Sequence, residues 1–352
     1  MSSATMNTSN SSCKLPYDYS AKPVVAIYSI VFALGLPANC LTAWLTLLNI
    51  RRHNVLSVYL FSLSLSELMY LSTLPLWIIY IQNSHTWQHG STACKITGYI
   101  FFNNIYVSIL TLCCISIDRF AGVVYSLESR GIRRQKIAIG IVCFIYFVVA
   151  IVHWPVFNMK DGEQTNNCTT CFETLPMQPL VASFNYARVV VGFVIPLLIL
   201  IFTNSRITQT IRTSSSLNEG QKAKVKRLAI AVITIFLICF APYHVVLLIR
   251  AIVFSLYPDD TCWFEEKIYT TATAFLCLAT VNSVADPFIY VLASESVRKD
   301  ICRGLRNWRI QSFTNHKSDS NSLPRKPTKA VQTTERTLLD GNNARFKESV
   351  MQ

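Results

Sequence analysis

Seven stretches of this chain are too long and too apolar to lie on the outside of a water-soluble domain. They run approximately over residues 24–48, 55–81, 93–125, 137–157, 186–207, 224–256 and 269–292. Each holds at least about twenty mostly apolar residues, enough to cross a hydrocarbon core of about 30 Å with some tilt. In lipid every backbone N–H and C=O must be satisfied within the protein, so runs of this length fold as helices. The expected fold is therefore all-α, a bundle of seven transmembrane helices. The composition agrees: 51% of residues are hydrophobic and 14% charged, against about 25% charged in soluble domains. The net charge of +13 is gathered into connecting segments, a poor footprint for nucleic acid.

Those segments set the orientation, because Lys and Arg concentrate in short cytoplasmic loops. Arg51 and Arg52 follow the first run. Arg130, Arg133, Arg134 and Lys136 lie between the third and fourth. Arg206, Arg212, Lys222, Lys224, Lys226 and Arg227 lie between the fifth and sixth, and Arg298, Lys299, Arg303, Arg306 and Arg309 follow the seventh. The opposite loops carry Asp161, Glu163, Glu173, Asp259, Asp260, Glu265 and Glu266. The N-terminus is thus expected outside the cell and the C-terminus in the cytoplasm, with no cleavable leader. Residues 1–22 read as an extracellular segment with glycosylation sequons at Asn7 and Asn10; Asn167 heads a third in a later outer loop. Residues 23–294 form the bundle. Residues 295–309 read as an amphipathic helix on the membrane surface, with Ile301, Leu305 and Trp308 at spacings of four and three, and Cys302 is a candidate for palmitoylation. Residues 310–352 are a Ser/Thr-rich cytoplasmic tail.

The third run carries chemistry at both ends. Cys94 and Arg119 lie 25 residues apart, about 37 Å of helix, so Cys94 sits at one membrane face and the adjacent Asp118 and Arg119 at the other. Five of the twelve cysteines fall outside the cell: Cys13, Cys94, Cys168, Cys171 and Cys262. The reading pairs Cys94 with Cys171 and Cys13 with Cys262, and Cys168 stays open as an alternative to Cys171. Cys40, Cys113, Cys114, Cys143, Cys239 and Cys277, inside the spans, read as buried small hydrophobes. Prolines recur within the spans at Pro37, Pro75, Pro155, Pro196, Pro242 and Pro287, where they are expected to kink helices and open pockets.

Together the motifs resemble a known family. Gly35 with Asn39, Cys94, Asp118-Arg119-Phe120, Cys239-Phe240-Ala241-Pro242 and Asp286-Pro287-Phe288-Ile289-Tyr290 are similar to the signatures of class A, rhodopsin-like, G-protein-coupled receptors. Leu74-Pro75-Leu76-Trp77, Tyr99 to Phe102, Val107 to Leu110 and Val123 to Arg130 resemble the proton-sensing and lysolipid receptors of that class. Gln221 to Lys226 and Cys239 to His244 narrow the likeness within that group. The resemblance implies a plasma-membrane receptor that drives nucleotide exchange on a heterotrimeric G protein in response to protons, oxidised fatty acids or lysophospholipids. It also implies receptor kinases and arrestin acting on tail hydroxyls from Ser312 to Thr337.

The chain departs from the class pattern. Most such receptors carry Asp where Glu67 stands, Trp where Phe240 stands, Asn where Asp286 stands and Tyr where Asn204 stands. Lys222 takes a position where some carry an acid that would hold Arg119, so that lock is not expected and basal activity could be raised.

The resemblance assigns roles to residues. Asp118, Arg119 and Tyr290 form the candidate G-protein switch. Asn39, Glu67, Asn282 and Asp286 form a buried polar core in which a proton or a sodium ion sits between two acids; the bland alternative is a core that merely positions helices. Arg188 lies eight residues before Pro196, about 12 Å towards the outer face. A cation at that depth is costly against lipid and is expected to meet an anionic head group. Arg250 is a second candidate, although it could snorkel to the surface. His244, Tyr243, Phe240, Phe102 and Tyr106 complete the expected ligand set, and Phe101, Phe184, Tyr186 and Phe193 are expected to line the chain of a lipid. Among the outer histidines His85, His89, His153 and His244, only His244 is expected to face the pocket, with His153 second. Neither an internal repeat nor a polar path marks a transporter or channel. No nucleophile or metal set marks an enzyme, and no cofactor is expected beyond that sodium ion.

Overall fold

The computed structural model describes residue 13 and residues 15–125, 133–158, 164–165, 168–171, 177–213, 218–258 and 261–293. The sequons at Asn7, Asn10 and Asn167, the amphipathic segment 295–309 and the tail 310–352 lie outside them. The elements in order are α1 (Tyr17–Ile50), α2 (Val55–Gln82), α3 (Gly90–Val124), α4 (Gln135–His153), a 3₁₀ turn (Trp154–Asn158) and a two-residue ladder of β1 (Gln164–Thr165) with β2 (Cys168–Thr169). They continue with α5 (Pro179–Val189), a π-helical turn (Val190–Val194), α6 (Ile195–Thr213), α7 (Glu219–Ile235), a second π turn (Phe236–Phe240), α8 (Ala241–Leu256), α9 (Cys262–Thr280) and α10 (Asn282–Ala293). Runs that continue from one helix through a turn into the next give seven helices long and apolar enough to cross a membrane. The expected boundaries hold to within a few residues, except that the fifth span begins at Pro179 and the seventh at Cys262. The second extension carries Glu265, Glu266 and Lys267, which hid it from a hydropathy reading; the first is mostly apolar and starts at Pro179.

Helix α3 is the axis. It packs on α2, α4, α6 and α7, and its apolar side chains from Ile105 to Ile115 are largely buried. Helix α4 is peripheral, burying only Ala138, Ile145, Val149 and His153. Trp44, Phe144, Phe147, Phe202 and Phe288 point outward, which suits a surface whose solvent is hydrocarbon. Cys143 and Cys40 share that outer surface rather than the interior expected for them, whereas Cys113, Cys239 and Cys277 are buried.

The prolines act unequally. Helices α1 and α2 run unbroken through Pro37 and Pro75, and Pro155 ends α4 in the 3₁₀ turn. Pro196 and Pro242 each follow a π turn. A proline lacks the N–H that would serve the carbonyl four residues back and crowds that carbonyl, and one extra residue per turn relieves the conflict. Pro287 leaves the Ser283 carbonyl without its helical donor, and Asn39 of α1 supplies one at 2.7 Å. The glycine in the first π turn, Gly192, faces the Tyr106 ring so closely that a methyl there would collide with it.

Both expected disulfides are formed. Cys94–Cys171 (Cα–Cα 5.7 Å) ties the start of α3 to the segment before α5, and Cys13–Cys262 (Cα–Cα 5.2 Å) ties the chain ahead of α1 to the start of α9. They mark one end of the bundle; Asp118 and Arg119 mark the other.

Candidate functional site

At the disulfide end a cavity of about 280 Å³ opens between α1, α2, α3, α5, α8 and α9. Phe101 and Phe102 of α3, Phe184 of α5 and Tyr243 of α8 are in its wall, and Cys171 with Met177 closes one side. Arg188 reaches into this apolar space. Its guanidinium stacks 4.2 Å above the Phe102 ring, and its buried Nε has no acceptor among the described residues. No described carboxylate pairs with it.

A neighbouring cavity of about 230 Å³ shares Tyr28, Trp77, Tyr243, Leu247, Arg250 and Leu276 with the first. Neither alone reaches the roughly 300 Å³ at which small-molecule sites begin; joined, they do. The shared indole Nε1 of Trp77 is buried and lacks an acceptor among the described residues. Arg250, expected to receive a ligand anion, is instead engaged by Glu265 of α9. Its Nε donates to Oε1 at 3.0 Å, and a terminal nitrogen lies 2.9 Å from Oε2. Arg250 therefore lines both cavities with its charge already countered.

Three members of the expected ligand set lie in the packing rather than in the cavity wall. His244 is buried: its Nδ1 lies 2.8 Å from the Phe240 carbonyl and its Nε2 3.3 Å from the Tyr106 hydroxyl. Phe240 is fully buried beside it. The Tyr106 ring stacks on His153 at 5.0 Å. The expectation that His244 faces the pocket is thus corrected; the π turn ahead of Pro242 rotates it inward, where it stacks on Phe193 at 4.8 Å. Phe193 is itself consumed in that stack and does not line the cavity, and Tyr186 turns away to Ser255 at 3.1 Å. The histidine that does line a cavity is His85. It sits beyond the end of α2 with φ 58°, stacks on Tyr17 at 4.2 Å and meets the Tyr269 hydroxyl at 3.4 Å. Tyr80 of α2 is its local ring neighbour at 5.2 Å, but the sequence did not single it out, because Tyr17 and Tyr269 come from α1 and α9.

Midway along the bundle the polar core is assembled as expected. Glu67 is fully buried and accepts from Ser108 at 2.7 Å and from Asn282 at 3.0 Å on Oε1, while Ser283 donates to Oε2. Asp286 is buried near Glu67, yet neither of its oxygens has a hydrogen-bond partner among the described residues. Asn39 joins through Ser283, bonding its carbonyl. Two carboxyl groups enclosed together, one lavishly hydrogen-bonded and one bare, repel one another when both are ionised. Ser108, inside the Val107 to Leu110 motif, and Ser283, next to Asn282, are partners to which the motif reading gave no role.

At the opposite end Arg119 donates through Nε to Asp118 Oδ2 at 3.1 Å and through a terminal nitrogen to the same oxygen. Lys222 pairs with Glu219 on its own helix at 3.0 Å, and among the described residues no acid from α7 reaches Arg119. Arg133, which was not singled out, also grips Asp118: Nε to Oδ1 at 2.9 Å and a terminal nitrogen to Oδ2 at 3.1 Å. Tyr290 is buried and accepts from Asn49 of α1 at 3.2 Å. No group of three or more His, Cys, Asp or Glu side chains able to hold a metal ion occurs among the described residues.

The described helices match a known family. Residues 38–290 match the model of the 7 transmembrane receptor (rhodopsin family). The chain is 53% identical over 323 residues to the probable G-protein coupled receptor 132 of Mus musculus, covering 90% of this chain and 83% of that one. It is 53% identical over 314 residues to the Homo sapiens protein of the same name, covering 88% and 81%. It is also 35% identical over 301 residues to the G-protein coupled receptor 68 of Mus musculus, covering 85% and 81%. These relatives agree with the receptor group that the motifs resemble. With seven membrane-length helices and a family match over most of its length, the chain belongs to the rhodopsin family of seven-transmembrane receptors and is a multi-pass plasma-membrane receptor coupled to heterotrimeric G proteins, not an enzyme.

Proposed function

We propose that this receptor is activated by an anionic lipid, an oxidised free fatty acid or a lysophospholipid, and that extracellular acid modulates it. One observation carries the reading: Arg188 holds a permanent charge in an apolar cavity with no carboxylate among the described residues to answer it. A buried cation without a partner is expensive, and an amphiphile's acidic head would supply both countercharge and acceptors. Phe101, Phe102, Phe184 and Tyr243 would take the acyl chain, each buried methylene contributing about 0.8 kcal/mol before ordering costs. In this reading the disulfide end and the N-terminus are extracellular and the C-terminus is cytoplasmic. Ligand binding loosens the opposite end, Arg119 leaves Asp118, and its planar fork meets the G protein. Receptor kinases and arrestin then act on the tail. The bare carboxylate of Asp286, with Glu67 beside it, also suits a sodium ion, which these two residues with Ser108 and Ser283 would hold.

The test is Arg188→Ala in cells and in purified form, with an oxidised free fatty acid, a lysophospholipid and acid alone as separate stimuli. Lipid potency should fall about ten- to hundredfold, the range for losing charge-assisted hydrogen bonds, while any acid response persists. If the lipid dose response does not move and acid alone drives full signalling, the second reading holds. This chain would then be primarily a proton sensor, using the buried carboxyls and His85.

A further inference from the structure

Asp118 is shared. Its side chain is 4% exposed, yet two guanidinium groups contact it, one from its neighbour Arg119 and one from Arg133, just before α4. The two contacts differ in kind. Arg119 uses only Oδ2, whereas Arg133 spans both oxygens as a fork. Room for that fork comes from Gly122, one turn after Asp118: a methyl there would come within 2.8 Å of Arg133 Nη1 and 3.1 Å of its Cζ.

We infer that Arg133 is a positioning residue for signalling: it keeps Asp118 neutralised when Arg119 leaves, and so lowers the cost of releasing Arg119 to the G protein. A nearly buried carboxylate that loses its sole cation is left with an uncompensated charge, a strongly unfavourable state. With Arg133 in place both oxygens remain engaged after Arg119 departs. While Arg119 stays, Arg133 competes with it for Oδ2 and weakens its hold. Both effects favour the open state. The charge count fits, since two cations on one acid leave a surplus positive charge that is free to move. The absence of an α7 acid near Arg119 fits as well, because no other described group retains it.

This inference rests on Arg119 being the moving part, and the experiment separates the two. Basal nucleotide exchange by the full-length receptor, reconstituted with G protein and matched for surface or vesicle density, needs no ligand. Arg133→Ala should lower it about three- to fivefold, the scale of a partly exposed bidentate pair. Arg133→Lys should restore it only in part, because an ammonium is a point charge that cannot span both oxygens. Gly122→Ala, which displaces only the flexible end of Arg133, should lower exchange in the same direction without touching either charge. In an Asp118→Asn background Arg133→Ala should add nothing, since residues acting through one shared partner are not additive. A rise in basal exchange on Arg133→Ala would make Arg133 part of a closed lock and overturn the inference. An unchanged rate, or an equal loss in the Asp118→Asn background, would overturn it too. If Arg119→Ala itself leaves exchange intact, the switch reading fails; if Arg119→Ala abolishes exchange and Arg133→Ala does not alter it, only the role given to Arg133 fails.

Discussion

Arg119→Ala should bring receptor-stimulated nucleotide exchange down to the rate of the G protein alone, while surface expression and ligand binding stay near wild type. The two halves of this outcome have separate physical causes. Exchange is lost because the substitution removes the only described guanidinium that sits on the axis helix at this end and is tied to nothing but its neighbour. The fold survives because Asp118 is not orphaned: Arg133 still occupies both of its oxygens, at 2.9 and 3.1 Å. Removing the partner of a buried acid ordinarily costs about 3–5 kcal/mol, and here a second partner absorbs most of that cost. The measurement is nucleotide exchange on purified G protein, normalised to receptor density, alongside thermal unfolding of the receptor. Exchange retained at equal density would remove Arg119 from the mechanism. Unfolding at a much lower temperature would show that Arg133 does not compensate.

What the sequence disclosed, and what it hid, follows from how local each feature is. Span positions were legible because hydropathy is a property of consecutive residues, and of the two largest errors, at Pro179 and Cys262, the second falls where a helical turn carries Glu265, Glu266 and Lys267. The topology placed five cysteines on one side, which left the choice between Cys168 and Cys171 as the partner of Cys94 open; the structure joins Cys171. The gathering of Glu67, Asp286, Asn282 and Asn39 was read from motifs and is matched by their bonds. Side-chain direction was not legible. Two π turns advance the fifth and sixth spans by an extra residue, and that rotation takes His244 and Phe193 out of the cavity wall. The ion pair of Arg250 was not legible because its partner, Glu265, belongs to a different helix. His85 and Arg133 were passed over for the same reason: each is ordinary in its own segment and acquires meaning only from α9 or α3.

Glu67→Gln combined with Asp286→Asn should flatten the dependence of signalling on extracellular pH, and should remove any effect of sodium on agonist affinity. Both changes keep shape and volume, so the packing of α2 against α10 is preserved. Ser108, Asn282 and Ser283 can still donate to the amide oxygen of the substituted residue at position 67, in the geometry they now use. What is lost is the pair of charges. In the wild type two carboxyls are buried near one another with no cation paired to them among the described residues, and the other groups around them, Cys239, Tyr70 and Tyr146, carry no positive charge. A proton between the carboxyls, or a sodium ion on the bare oxygens of Asp286, cancels their repulsion. It thereby favours whichever conformation keeps the two groups in contact. With two amides there is nothing to titrate and nothing to bind a cation. The single variants tell the two agents apart: a proton can still be taken up by either remaining acid, whereas a sodium site built on Asp286 should fail with Asp286→Asn alone. The readout is the agonist-free and agonist-driven response across the pH range at matched surface expression, repeated with sodium replaced by a larger cation. A pH profile that is unchanged in the double variant would move the proton's site of action to the outer cavity, where His85 stands between Tyr17 and Tyr269; His85→Ala should then abolish what the carboxyl pair did not.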